Sequence, residues 1–263
     1  MGIARLFVSA TIAMAVTAMF PTEVLSQDAR DVLAPKGMLR VGVYPGSPTS
    51  MVRQSSTGEP HGLSLDLGKE LARRLGVPFE QVNYQRIADV LDGMKAGDVD
   101  FTVSNSTPLR ALDVAFSQTL LSIELGYLVP ATSSILTASD VDRPGMRIGV
   151  TQGSTSERTL PKLLANATVV PAQNVKYAIQ MFEARELDAY ATNKPTLFEM
   201  SDQMPGARVL DGRWGEEHLA VAIPKGRESG MEYVRRFVEE AQANGLLARA
   251  VEQAGLRGSL AAK

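Results

Sequence analysis

The chain of 263 residues contains no cysteine. Disulfides, thiol nucleophiles, thiolate metal centres and a lipid attached at a cysteine are thereby excluded, and stability has to come from packing. Histidine is scarce as well, with His61 and His218 isolated from each other in the sequence. Each reads more readily as a surface or satisfied polar residue than as an acid or base, and neither a metal nor a cofactor is expected. No charge sign dominates: 27 lysines and arginines against 29 acidic residues give a formal charge of −2. The basic excess that would favour a nucleic acid partner is missing.

What is present begins at the N-terminus. Arg5 precedes the apolar run "LFVSATIAMAVTAMF", and "PTEVLSQD" follows with Val24 and Ser26 at the spacing a signal peptidase reads. About 15 apolar residues fall short of the ~20 that cross a bilayer. Residues 1–26 therefore read as a cleavable secretory signal, with a membrane anchor as the alternative. No later segment is long and apolar enough to span.

Short β-branched runs then alternate with apolar residues at helical spacing. "LRVGV" (39–43) is followed by a helix with Leu63, Leu67, Leu71 and Leu75 on one face. The strand "FEQVNY", a helix over about 87–96, the strand "DFTVS" and a further helix opened by Thr107 and Pro108 complete the first half. The second half restarts: "MRIGV" (146–150) echoes "LRVGV", and helices over about 154–165 and 175–185 flank the strand "ATVV" before "DAYAT". Two tandem βαβ units predict an α/β protein of two similar lobes, each a mostly parallel sheet with helices on both faces. "GYLVPATSS" (126–134) and "HLAVAIPKG" (218–226), each apolar and then broken by Pro130 or Pro224, read as a paired crossover. Lobe 1 is thus expected to be discontinuous, 27–128 plus 224–263, with lobe 2 over 129–223. Helices are expected over about 228–244 and 247–254.

Two stretches share one plan. "AGDVDFTVSNSTPLR" (96–110) and "ARELDAYATNKPTLF" (184–198) match Asp100 with Asp188 and Asn105 with Asn193. Ligands of open α/β sheets bind beyond the carboxyl ends of the strands, where Asn105, Thr107 and Asn193 fall. Arg110, one turn into the predicted helix, has a planar fork suited to a carboxylate beside free helix amides. The alternative is a surface salt bridge with Asp113. In "GVTQGSTSE" (149–157), Ser154 and Thr155 either offer hydroxyl and amide donors to an anion or simply cap the helix. Tyr44 and Arg86 also follow strands, the first placed to stack on a ligand, the second to be either another anion donor or a solvated loop charge.

These motifs, with "GLSLDLGKELARRLGV", "MKAGDVDF" and "TPLRALDVAFS", resemble the family 3 extracellular solute-binding proteins over nearly the whole mature chain. That family comprises periplasmic receptors delivering polar amino acids and related solutes to ATP-driven importers. The resemblance implies a periplasmic, monomeric, two-lobed binding protein of type II that traps a small solute by hinge closure without chemistry. Its partner would be an ABC permease in the inner membrane. The family pattern matches Arg110 to the arginine that grips a ligand carboxylate, and Thr155 to the lobe 2 group closing on it. Two departures stand out. The loop "YPGSPTSM" lacks the usual Pro-Phe dipeptide, and Asn193 replaces the usual aspartate that pairs with an α-ammonium. An unpaired buried ammonium costs several kcal/mol. The expected ligand is accordingly a small carboxylate without an ammonium, or a zwitterion neutralised elsewhere, for example by Glu124. Two other functions fit the same fold: an enzyme resembling the cyclohexadienyl dehydratases, with Glu124 and Lys194 as acid–base candidates, and a sensing module for a signalling receptor.

Overall fold

The computed structural model describes residues 22–53 and 58–260. Strand Leu39–Val43 pairs in parallel with Phe79–Asn83, and a bridge from Val41 to Phe101 brings in the strand Thr102–Asn105. Helix Leu63–Leu75 lies over them because Leu63, Leu67, Leu71 and Leu75 fall on one face, and all four are buried. Burying each leucine contributes about 1.5–3 kcal/mol. Helix Ile87–Ala96 joins the second and third of these strands. In the second half, strand Arg147–Thr151 is flanked in parallel by Thr168–Ala172 and Ala189–Asn193, with helices Thr155–Leu163 and Val175–Glu183 making the connections. Helix Lys194–Gln203 follows at once, and the C-terminal helices Met231–Ala243 and Leu246–Gln253 return to the first core.

Two long strands join the halves. Val114–Val129 and Gly215–Pro224 run antiparallel from the pair Gly215/Leu125 to the pair Pro224/Val114. Strand Gly215–Pro224 also pairs with Thr102–Asn105, and Val114–Val129 with Ala189–Asn193. The crossing strands therefore lie between the strand that ends at Asn105 and the strand that ends at Asn193. Leu219, Val221 and Ile223 pack with Leu39, Val41 and Phe101, because residues 219–222 run beside the whole of Thr102–Asn105.

The expected helix after Pro108 is a single 3-10 turn, Arg110–Leu112. Thr107 does start it, since its hydroxyl accepts from the Arg110 amide at 3.2 Å, but Val114 already belongs to the long strand and leaves no room for another turn. At the N-terminus, helix Thr22–Leu33 begins ahead of the expected cleavage point, and the apolar run over 6–20 lies outside the described residues. No helix among the described residues is long and apolar enough to cross a membrane.

Candidate functional site

Strand polarity brings the polar ends of both halves to one cavity of about 50 Å³. By the same measure a water needs about 10–15 Å³, so the space holds a handful of heavy atoms. Tyr44, Ser104, Asn105 and Arg110 line it from the first half, Ser154, Thr155 and Asn193 from the second, and Glu217 from the crossing strand. The halves touch directly here. The Asn105 carboxamide donates to the Thr155 hydroxyl at 3.3 Å, and the Ser47 and Thr196 hydroxyls lie 2.8 Å apart. Gly153, with φ of 75°, lies so close to Ala88 that an added Cβ would come within 2.4 Å of the alanine methyl. A side chain at 153 would hold the two halves apart.

Arg110 is 7% exposed. Its Nη1 donates to the Ser104 hydroxyl at 2.9 Å and to the Asn105 carbonyl at 3.3 Å, while its Nε has no partner. Burial pushes the guanidinium below its usual pKa, and Glu217 partly offsets this. The guanidinium remains a cation with donors to spare. The salt bridge with Asp113 does not form, because Asp113 pairs with Lys95 at 2.8 Å.

Asn193 has two tasks. Its Oδ1 accepts from the Thr196 amide at 3.1 Å and so caps helix Lys194–Gln203, while its Nδ2 donates to Glu217 Oε2 at 3.3 Å. Asn105 is tied similarly: its Oδ1 accepts from the His218 amide at 3.0 Å. Ser154 caps helix Thr155–Leu163 by accepting from the Glu157 amide, so Thr155 is left as the cavity's hydroxyl from that turn. Tyr44 lines the cavity half-buried, and burial raises its phenol above the usual pKa.

Two expected positions, Thr107 and Glu124, fall outside the cavity. Thr107 does not line the cavity; its hydroxyl is spent on the 3-10 turn. Arg86 lines the rim, with its guanidinium paired to Asp89 and donating to the Gln152 side chain and the Gln173 carbonyl, although its Nε, like that of Arg110, has no hydrogen-bond partner. Glu124 lies outside the cavity, paired with Lys194 at 2.5 Å and with Arg213 at 3.4 Å. The acid that does enter is Glu217, 9% exposed, whose carboxyl is pushed upward by burial and eased back by Arg110. Strand alternation could have revealed it, because Glu217 is in phase with the buried Leu219, Val221 and Ile223. Among the described residues no cluster of His, Asp or Glu could hold a metal ion.

Two α/β halves around a closed polar cleft define a two-lobed ligand-binding protein. The chain belongs to the bacterial extracellular solute-binding proteins, family 3, whose model matches residues 39–255. A glutamine-binding protein of Geobacillus stearothermophilus is 25% identical over 194 residues, 72% of this chain and 74% of the relative. A variant of the arginine-binding protein of T. maritima superposes with a TM-score of 0.76 at 22% identity, covering 86% of this chain and 99% of the other. An ancestral amino acid-binding protein, a precursor of cyclohexadienyl dehydratase, gives 0.74 at 25% identity, covering 85% and 98%.

Proposed function

We propose that this chain is a receptor for a small carboxylate-bearing solute of the amino acid kind, captured between the lobes and handed to an ABC permease. The reading rests above all on Arg110, a buried guanidinium whose Nε is unpartnered beside a cavity between the two lobes. A carboxylate there would accept from Arg110 and from the Thr155 hydroxyl, and so bind the closed form better than the open one. Only such differential affinity moves the lobes. The relatives' ligands support an amino acid, and their attachment to transport supports a permease partner. We divide the lobes near 125 and 218 on the core membership of the crossing strands, and we assign the 1–26 segment to export into the periplasm. We read binding without catalysis: Glu124 and Lys194 neutralise each other away from the cavity, the His218 ring is held by the Ser122 hydroxyl at 2.8 Å, and Glu217, the acid inside the cavity, is tied to the Asn193 amide at 3.3 Å.

The test is a thermal-shift screen of amino acids and mono- and dicarboxylates, followed by calorimetry on Arg110→Ala. Removing a buried charged donor should weaken binding by about 30-fold or more, with the far-UV spectrum unchanged. An unaltered affinity would remove Arg110 from the site.

A further inference from the structure

A wider groove of about 420 Å³ opens beside the cavity, lined by Met51 and Val52 from the first half and by Ile179 and Glu199 from the second. Val175 and Gln85 line both spaces. Gln85 is exposed, whereas Val175 is 9% exposed and packs in the core of the second half with Ala178, Phe182 and Leu197. The Val175 side chain meets the first half at Gly46, where an added Cβ would lie 3.3 Å from both its Cβ and its Cγ1. One residue further along the loop, the buried Ser47 hydroxyl is joined to that of Thr196 at 2.8 Å.

We propose that Val175 sets the greatest length of solute this receptor accepts, because its isopropyl group, pressed against the loop at Gly46, is the wall that divides the cavity from the groove. The inference rests on the carboxylate reading of Arg110, which anchors one end of the solute in the cavity. Both lobes build the wall, so a tail too long for about 50 Å³ meets no small local adjustment. It has to push Val175 away from Gly46 and Thr196 away from Ser47, and that reopens the cleft. Overfilling a close-packed space costs more than the added contacts return. Length is therefore read through closure itself. Beyond the wall, Met51, Val52 and Ile179 offer an apolar surface that an alkyl tail could cover once the wall is thinned.

The experiment is calorimetry with two series of graded length: L-alanine, L-2-aminobutyrate, L-norvaline and L-norleucine, and propanoate through hexanoate. Using both makes the outcome independent of any second charge on the solute. In wild type, affinity should fall about 10-fold or more from the best-fitting member to the longest, in whichever series binds. Val175→Ala removes two methyl groups from the wall and should erase most of that fall, whereas Val175→Thr keeps the branched shape and should retain it. In both variants Asn174 still caps the helix, its Oδ1 accepting from the Tyr177 amide at 2.9 Å. General loosening of the fold would weaken every member alike, so a changed length profile reports the wall. Equal affinity along the wild-type series, or the same profile in wild type and Val175→Ala, would overturn the length limit and leave the carboxylate receptor standing. So would a thermal-shift screen that finds only longer carboxylates bound. Failure of every carboxylate in the screen and in both series would overturn the two readings together.

Discussion

The two repeated helix–turn–strand units, 87–105 and 175–193, use the same device at the foot of the strand and different chemistry at its tip. In the first, Asp100 accepts from the Arg40 amide at 2.9 Å and from its Nε at 2.8 Å and Nη2 at 2.7 Å. In the second, Asp188 accepts from the same three atoms of Arg147, at 2.9, 2.9 and 3.1 Å. The carboxylate fixes where each strand begins, and five residues later a carboxamide emerges at the cleft. Beyond that point the units diverge. Both carboxamides reach Glu217, but the Asn105 backbone carbonyl also accepts from the cation Arg110, whereas Asn193 caps the helix that follows it. A repeated scaffold thus adds a cation on one side only, while the anion comes from a crossing strand that pairs with the Asn105 strand.

The feet differ in burial, and this yields the largest expected effect. Asp100 is 1% exposed and also accepts from Arg227 at 2.5 Å, while the Arg147–Asp188 pair is about one-third exposed. Asp100→Ala strands two arginines and should cost about 3–5 kcal/mol. Asp188→Ala should cost about 1 kcal/mol, because water screens that pair. Urea unfolding of both variants checks the ratio, and equal losses would break the comparison.

A smaller effect separates the turns. Gly97 and Arg185 both stand three residues before the aspartate and both adopt a left-handed backbone, with φ of 82° and 56°. Glycine takes that conformation freely, whereas arginine is strained there by about 1–2 kcal/mol. Arg185→Gly should therefore raise stability by roughly 0.5–1 kcal/mol after the added entropy of the unfolded chain is allowed for. Thermal unfolding measures it, and a destabilised variant would show that the Arg185 side chain has a role of its own.

Much of this is legible in the sequence. The period of the leucines at 63, 67, 71 and 75 and the restart at "MRIGV" lead directly to helices and strands in the observed order, because local spacing decides which face is buried. The matched Asp and Asn positions located the strand ends for the same reason. Thr107 and Pro108 misled, since a helix-start signal opens a 3-10 turn equally well and only the competing strand at Val114 determines its length. The sequence singles out Glu124, whereas the acid in the cavity is Glu217, a residue of the other crossing strand. Which acid faces the cleft depends on antiparallel register and on Lys194 drawing Glu124 away, and both are tertiary facts.

The central claim is that a solute held by residues of both lobes closes the cleft. Small-angle scattering on the purified protein, with and without a saturating amount of the tightest-binding amino acid, tests this directly. The account predicts a smaller radius of gyration with ligand, and no ligand-dependent change in Arg110→Ala. A scattering profile that stays the same while calorimetry reports full occupancy would contradict it.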